Sequence, residues 1–173
     1  SGNPAVFSVS PDGRVTGVAE GLDTLFAQAG GRTGIAIVFV YRDTGWVGQA
    51  SGTSRTLNGV YFLGDGRTGW AVGSGGAIVH TTDAGERWST QPSGTAYNLN
   101  AVWFTTPAEG WAVGHLGTVL HTMNAGGTWT RININNAGEN LMDVCFANPD
   151  TGWAVGSGGV VLRTVDGGAT WQK

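Results

Sequence analysis

The chain has 173 residues, 31 of them glycine and eight tryptophan, and a formal net charge of −3. That length holds one ordinary domain with a real core, and the tryptophans argue against disorder, which is poor in aromatics. The acidic balance excludes the basic footprint of a nucleic-acid binder, no apolar run approaches the ~20 residues of a membrane-spanning helix, and the lone Cys145 excludes an internal disulfide.

Residues 1–34 are the least regular part. Two short apolar runs at 5–10 and 14–19 flank Pro11-Asp12-Gly13, which reads as a hairpin. Residues 22–29 (L-D-T-L-F-A-Q-A) space their apolar positions in a helix-like way before Gly30-Gly31, so one or two helical turns are expected there. Residues 35–48 line up with the start of a motif that returns later, and 35–56 reads as a partial unit that lacks the usual ending.

Three fuller units follow at 57–98, 99–140 and 141–173. Each opens with a run apolar on both alternating faces: L-N-G-V-Y-F, L-N-A-V-W-F or L-M-D-V-C-F. Such a strand is buried on both sides. A polar turn leads to G-W-A-V-G, a glycine-bearing turn leads to a third run (I-V-H-T, V-L-H-T, V-V-L-R-T), and a loop leads to a fourth strand beginning at tryptophan. Trp70, Trp111 and Trp153 stand 41 and 42 residues apart, as do Trp88, Trp129 and Trp171. A period of this length marks a repeat architecture. Four short antiparallel strands per unit are the blade of a β-propeller. The expected fold is therefore all-β, an incomplete propeller of three good blades and a partial one. The last unit lacks most of its outer strand, and the N-terminal hairpin is a candidate to close the ring.

The loop before the fourth strand repeats T-x-D-x-G-x-x-W: Thr81/Asp83/Gly85/Trp88, Thr122/Asn124/Gly126/Trp129 and Thr164/Asp166/Gly168/Trp171. This spacing is the Asp-box. Asp or Asn accepts bonds from backbone N–H groups of its own turn, Gly supplies a left-handed conformation, and Trp packs against the sheet. A carboxylate repeated in register belongs to the scaffold, whereas catalysis uses a unique constellation, so Asp83 and Asp166 are expected to be structural.

The whole unit resembles the repeat of the photosystem II stability/assembly factor family, closely over 57–171 and partly over 35–48. The resemblance implies a propeller that acts as a non-enzymatic scaffold, presents a surface to a protein partner such as a membrane-protein complex, and works on the extracytoplasmic or lumenal side. Seven such blades need far more residues than are here, so the chain is expected to be an excerpt, a small ring, or one member of a self-associating ring.

His80, His121 and Arg163 share one register position and are candidates for a partner-binding ring. His115 replaces serine at a repeated turn, beside Leu116, and Arg87 and Arg131 flank the Trp-bearing strands; all are candidate contacts for a partner. Cys145 stands where the other units have Tyr61 and Trp103 and reads as a small core residue. No Cys/His spacing fits zinc and no cofactor fingerprint is present. The alternatives are a carbohydrate-directed Asp-box protein, either lectin or sialidase-like, or the receptor-binding head of a fibre. A sialidase needs a tyrosine nucleophile with converging arginines, and the arginines show no clustering, so no enzymatic activity is expected.

Overall fold

The computed structural model describes residues 48–134 and 138–173 in full, together with the backbone of four strands near the N terminus. It falls into two compact units, 1–48 and 49–173.

The first unit contains two antiparallel hairpins. β1 (Phe7–Val9) pairs with β2 (Val15–Gly17). β3 (Gly21–Ala29) pairs with β4 (Arg32–Val40) over nine residue pairs. The helical turns expected over 22–29 are not there: that stretch is strand β3. Its helix-like spacing is overridden by pairing with a run rich in β-branched and aromatic residues, I-A-I-V-F-V, the stronger determinant for so short a segment.

The second unit is three antiparallel sheets. The first is β5 (Leu57–Phe62), β6 (Gly69–Gly73), β7 (Ile78–Thr81) and β8 (Ser89–Thr90), in that order. The second repeats it with β9 (Leu99–Phe104), β10 (Gly110–Gly114), β11 (Thr118–Thr122) and β12 (Thr130–Ile132). The third has β13 (Leu141–Phe146), β14 (Gly152–Gly156) and β15 (Val161–Thr164), with a single bridge from Arg163 to Gln172 in place of a fourth strand.

Both glycines of G-W-A-V-G are required by close approach. Gly69, Gly110 and Gly152 lie opposite Phe62, Phe104 and Phe146, whose rings cover them; a Cβ would come within 2.8 Å of the ring. At Gly73, Gly114 and Gly156 a Cβ would run into the carbonyl of Thr56, Asn98 or Asn140, the last residue of the connector before each sheet. Residues 49–56 therefore do the same work as 91–98. Ser51 and Ser93 both bond a carbonyl two residues on, and Ser74 N–H and His115 N–H bond the Thr56 and Asn98 carbonyls.

The sheets stack like blades, with β9 against β5 on one side and β13 on the other. The Asn58 and Asn100 amides each donate to the first residue of the next sheet, Leu99 O at 2.8 Å and Leu141 O at 2.6 Å. Two apolar clusters fill the two junctions. Trp70, Val72 and Ile78 meet Leu99, Val102 and Phe104 in one; Trp111, Val113 and Val119 meet Leu141, Val144 and Phe146 in the other. The Trp70 and Phe104 rings stack at 3.5 Å, and Trp111 and Phe146 at 4.1 Å. Truncation of this ring, Phe104→Ala, is expected to cost about 3–5 kcal/mol in urea unfolding followed by tryptophan fluorescence. Phe62→Ala removes the same side chain from a half-buried position on the first sheet, so its cost should be clearly smaller.

Candidate functional site

Each Asp-box loop carries the same hydrogen-bond set. The buried Thr81 hydroxyl donates to Asp83 Oδ1 (2.8 Å) and accepts from Gly85 N–H (3.0 Å), while Arg87 N–H donates to Asp83 Oδ1 (2.9 Å). Thr122, Asn124, Gly126 and Thr128 repeat this with an amide oxygen (3.0, 2.9 and 2.8 Å), and Thr164, Asp166, Gly168 and Thr170 with a carboxylate (2.8, 2.8 and 2.9 Å). Each loop also has two consecutive left-handed residues, Ala84-Gly85, Ala125-Gly126 and Gly167-Gly168. Two of these are alanines, a strain that the sequence did not advertise. Asp83 is held below the ordinary carboxylate range, first by the Arg87 N–H and then by the Thr81 hydroxyl. Asp166 is lowered first by the Thr170 hydroxyl and then by its backbone N–H.

The loops reach beyond their own sheet. The Ala125 carbonyl accepts from the Trp70 indole (3.0 Å) and from the Gln91 amide (2.9 Å), tying the second loop to the first sheet and its connector. Ala84 O accepts from Gln49 in the same manner (3.2 Å).

The register rows explain the positions singled out from sequence. Tyr61, Trp70 and His80 sit side by side across β5, β6 and β7; Trp103, Trp111 and His121 do so in the second sheet, and Cys145, Trp153 and Arg163 in the third. His80 stacks on Trp70 and His121 on Trp111, each with centroids 4.8 Å apart, and Arg163 lies 5.9 Å over Trp153. His80 and His121 are thus half-buried against the tryptophan of their own sheet. Burial pushes the His80 pKa down, and its Nε2 is buried without a partner. His121 Nε2 meets Glu109 at 3.1 Å, a pair present in this sheet alone, since Thr68 and Thr151 stand at the matching positions.

The other candidates are dispersed. Arg87 is exposed with a long contact to Asp83 (3.8 Å). Arg131 lies over the Tyr97 ring at 5.7 Å. His115 opens a tight turn in which exposed Leu116 is left-handed (φ 50°). Cys145, expected in the core, is exposed, because its row forms the outer face of the third sheet.

A surface not marked by sequence reasoning runs across the first strands of all three sheets. Residues 58–61, 100–103 and 142–145 line a groove of about 360 Å³. Two of its positions differ in every sheet, Gly59, Ala101 and Asp143 and then Tyr61, Trp103 and Cys145; one changes only in the third, Asn58, Asn100 and Met142, and Val60, Val102 and Val144 are the same. Tyr61 and Trp103 meet at 5.0 Å. The only signal available in the sequence was that these positions vary inside an otherwise constant repeat.

Stacked four-stranded antiparallel sheets with Asp-box loops define the class: a β-propeller built of BNR-type repeats. The chain matches the family described as photosynthesis system II assembly factor YCF48 over residues 39–139, more than half its length, and belongs to that family. A solved structure described as YCF48 bound to D1 peptide is similar at 27% identity and a TM-score of 0.62, over 69% of this chain and 40% of that one. YCF48 from Cyanidioschyzon merolae is similar at 26% identity and a TM-score of 0.61, over the same shares. The chain thus spans about 40% of the length of these relatives. An ancestral GH74 enzyme shares the fold at 16% identity and a TM-score of 0.56, over 68% of this chain and 18% of that one. No curated protein matches.

Two measurements check the loop chemistry. Thr122→Val leaves the Gly126 N–H without its acceptor and should cost about 1–3 kcal/mol, whereas Thr122→Ser should restore most of it. Asp83 and Asp166 have folded-state pKa values below their unfolded ones, so their contribution is complete at neutral pH and lost as pH falls through the folded values. Replacing both with Asn, as in the second loop, should flatten the acid side of a stability–pH curve measured by thermal melting.

Proposed function

We propose that the chain is a non-enzymatic binding module that receives an extended segment of a partner protein along the groove crossed by β5, β9 and β13. The observation that carries this is the contrast within the repeat. Of the four positions that each sheet gives to the groove, one is valine throughout, whereas two change in every sheet, from Gly59 to Ala101 to Asp143 and from Tyr61 to Trp103 to Cys145, as a surface fitted to one ligand would. The relative solved with a D1 peptide supports the class of ligand, and the family to which the chain belongs supports a segment of a membrane-protein complex as the partner. The carboxylates Asp83 and Asp166 support the non-catalytic reading, because their Oδ1 atoms are engaged by their own loops. Likeness to GH74 enzymes extends to the fold alone. Arg87, Arg131 and His115 are exposed or on an exposed turn and are proposed as further contacts outside the groove.

Fluorescence anisotropy with a labelled D1 peptide tests this directly. Saturable binding is expected, and Met142→Glu, at an exposed groove position, should weaken it about ten-fold or more, with Arg87→Ala close to wild type. Absence of binding, or equal affinity in Met142→Glu, would overturn the groove assignment. So would an oligosaccharide that competes the peptide off and is itself hydrolysed.

A further inference from the structure

β9 is the edge strand of the second sheet, and it packs against β5 on one flank and β13 on the other. Side chains of β9 that stay accessible with both flanks occupied are open along the strand's own edge, where the groove runs. Asn100 and Trp103 are two of these: both line the groove and both are half-buried.

Their surroundings fix how each is presented. The Asn100 amide lies 2.6 Å from Leu141 O. A carbonyl only accepts, so the atom on that side is Nδ2. The same nitrogen stands 3.7 Å from Met142 Sδ. Both amide hydrogens are therefore directed at the third sheet, and Asn100 Oδ1 accepts no bond among the described residues. The Trp103 indole meets the Tyr61 ring at 5.0 Å with a tilt of 48°. Tyr61 is backed in turn by Phe104, stacked at 6.3 Å and itself fully buried. The two rings thus form a tilted pair resting on the core.

The chemistry of this lining is one-sided. Aromatic faces are electron-rich, and a free amide oxygen is the negative end of its dipole. The only charged side chain in the groove is Asp143, and no lysine, arginine or histidine lines it. Every one of these features favours a cation. A guanidinium fits better than an ammonium, because it is flat, weakly hydrated and stacks on an aromatic face. Asn100 and Trp103 are separated by roughly 10 Å along an extended strand, more than one guanidinium spans, so they meet different parts of a ligand.

We infer that β9 carries an arginine subsite: a bound segment lays an arginine side chain against the Trp103–Tyr61 pair and donates a backbone N–H to Asn100 Oδ1. The inference rests on the reading of the groove as a peptide site, and it names a side chain that such a peptide carries.

Nuclear magnetic resonance on the ¹⁵N-labelled full chain tests it with three small probes, the N-acetyl methylamides of arginine, citrulline and glutamate. Citrulline keeps the shape of the guanidinium without its charge. The indole N–H signal of Trp103, one of eight tryptophans, should shift and saturate with the arginine probe. The citrulline probe should bind about two- to five-fold more weakly, and added salt should narrow that gap. A Trp103 signal unmoved by the arginine probe overturns the inference. So does equal affinity for arginine and citrulline, or tighter binding of the glutamate probe. The D1 peptide measurement is independent of this one. Saturable peptide binding without an arginine preference removes the subsite alone, whereas an arginine preference at Trp103 without peptide binding supports the subsite and removes the peptide reading.

Discussion

The indole of the second-strand tryptophan is the contact on which the rest of the second unit depends. Trp70 has His80 of its own sheet on one face and Phe104 of the next sheet on the other, and its N–H reaches the Ala125 carbonyl of the next Asp-box loop. Each feature that recurs in the repeat serves that arrangement. The glycine opposite the phenylalanine lets the ring lie flat over the strand, and the Thr-Asx pair fixes the loop whose carbonyl receives the indole. A single sheet contains only half of the arrangement. Stability therefore lies in nearest-neighbour junctions, as in other repeat proteins, and the two internal junctions hold almost all the buried apolar side chains.

This arrangement puts scaffold and groove within a single cross-strand row. The centre of each row is always tryptophan, because it must fit the same socket each time. The inner end, Tyr61, Trp103 or Cys145, is free to vary because it faces the groove, and the outer end varies between His80, His121 and Arg163 because stacking on an indole accepts any flat or cationic group. Variation at the two ends thus has different meanings. At the outer end each group lies against the indole of its own sheet, and at the inner end the side chains line the groove.

The blades were legible in the sequence because their determinants are local: a period, a glycine under a ring, an Asx-turn. What was not legible depends on which sheet lies next door. The histidine column reads as a polar third-strand face until the strand register is known, which sets His80 beside Trp70 and His121 beside Trp111. Residues 49–56 look like a failed repeat when aligned by their strands. Their role as a connector appears from the bonds of Gln49, Ser51 and Thr56, which match those of Gln91, Ser93 and Asn98. Cys145 was placed in a core by analogy with Tyr61 and Trp103, which are half-covered by the following sheet; no described residue covers Cys145 in that way. Residues 22–29 went wrong for the same kind of reason, since pairing with β4 decides their conformation.

The same geometry ties ligand binding to the integrity of the body. The groove takes residues from all three sheets, with Asn58, Asn100 and Met142 following one another across β5, β9 and β13. A ligand that touches all three recognises the docked arrangement and not an isolated sheet, so its binding free energy adds to that of the junctions. Asn58 and Asn100 carry both roles, since their amides cross to the next sheet while their positions line the groove. At Met142 the bridging amide is absent and an exposed thioether stands in the groove, within reach of the Asn100 amide. The third sheet therefore carries a flexible apolar residue, where the first two carry a junction-forming asparagine, at the end of the proposed binding groove.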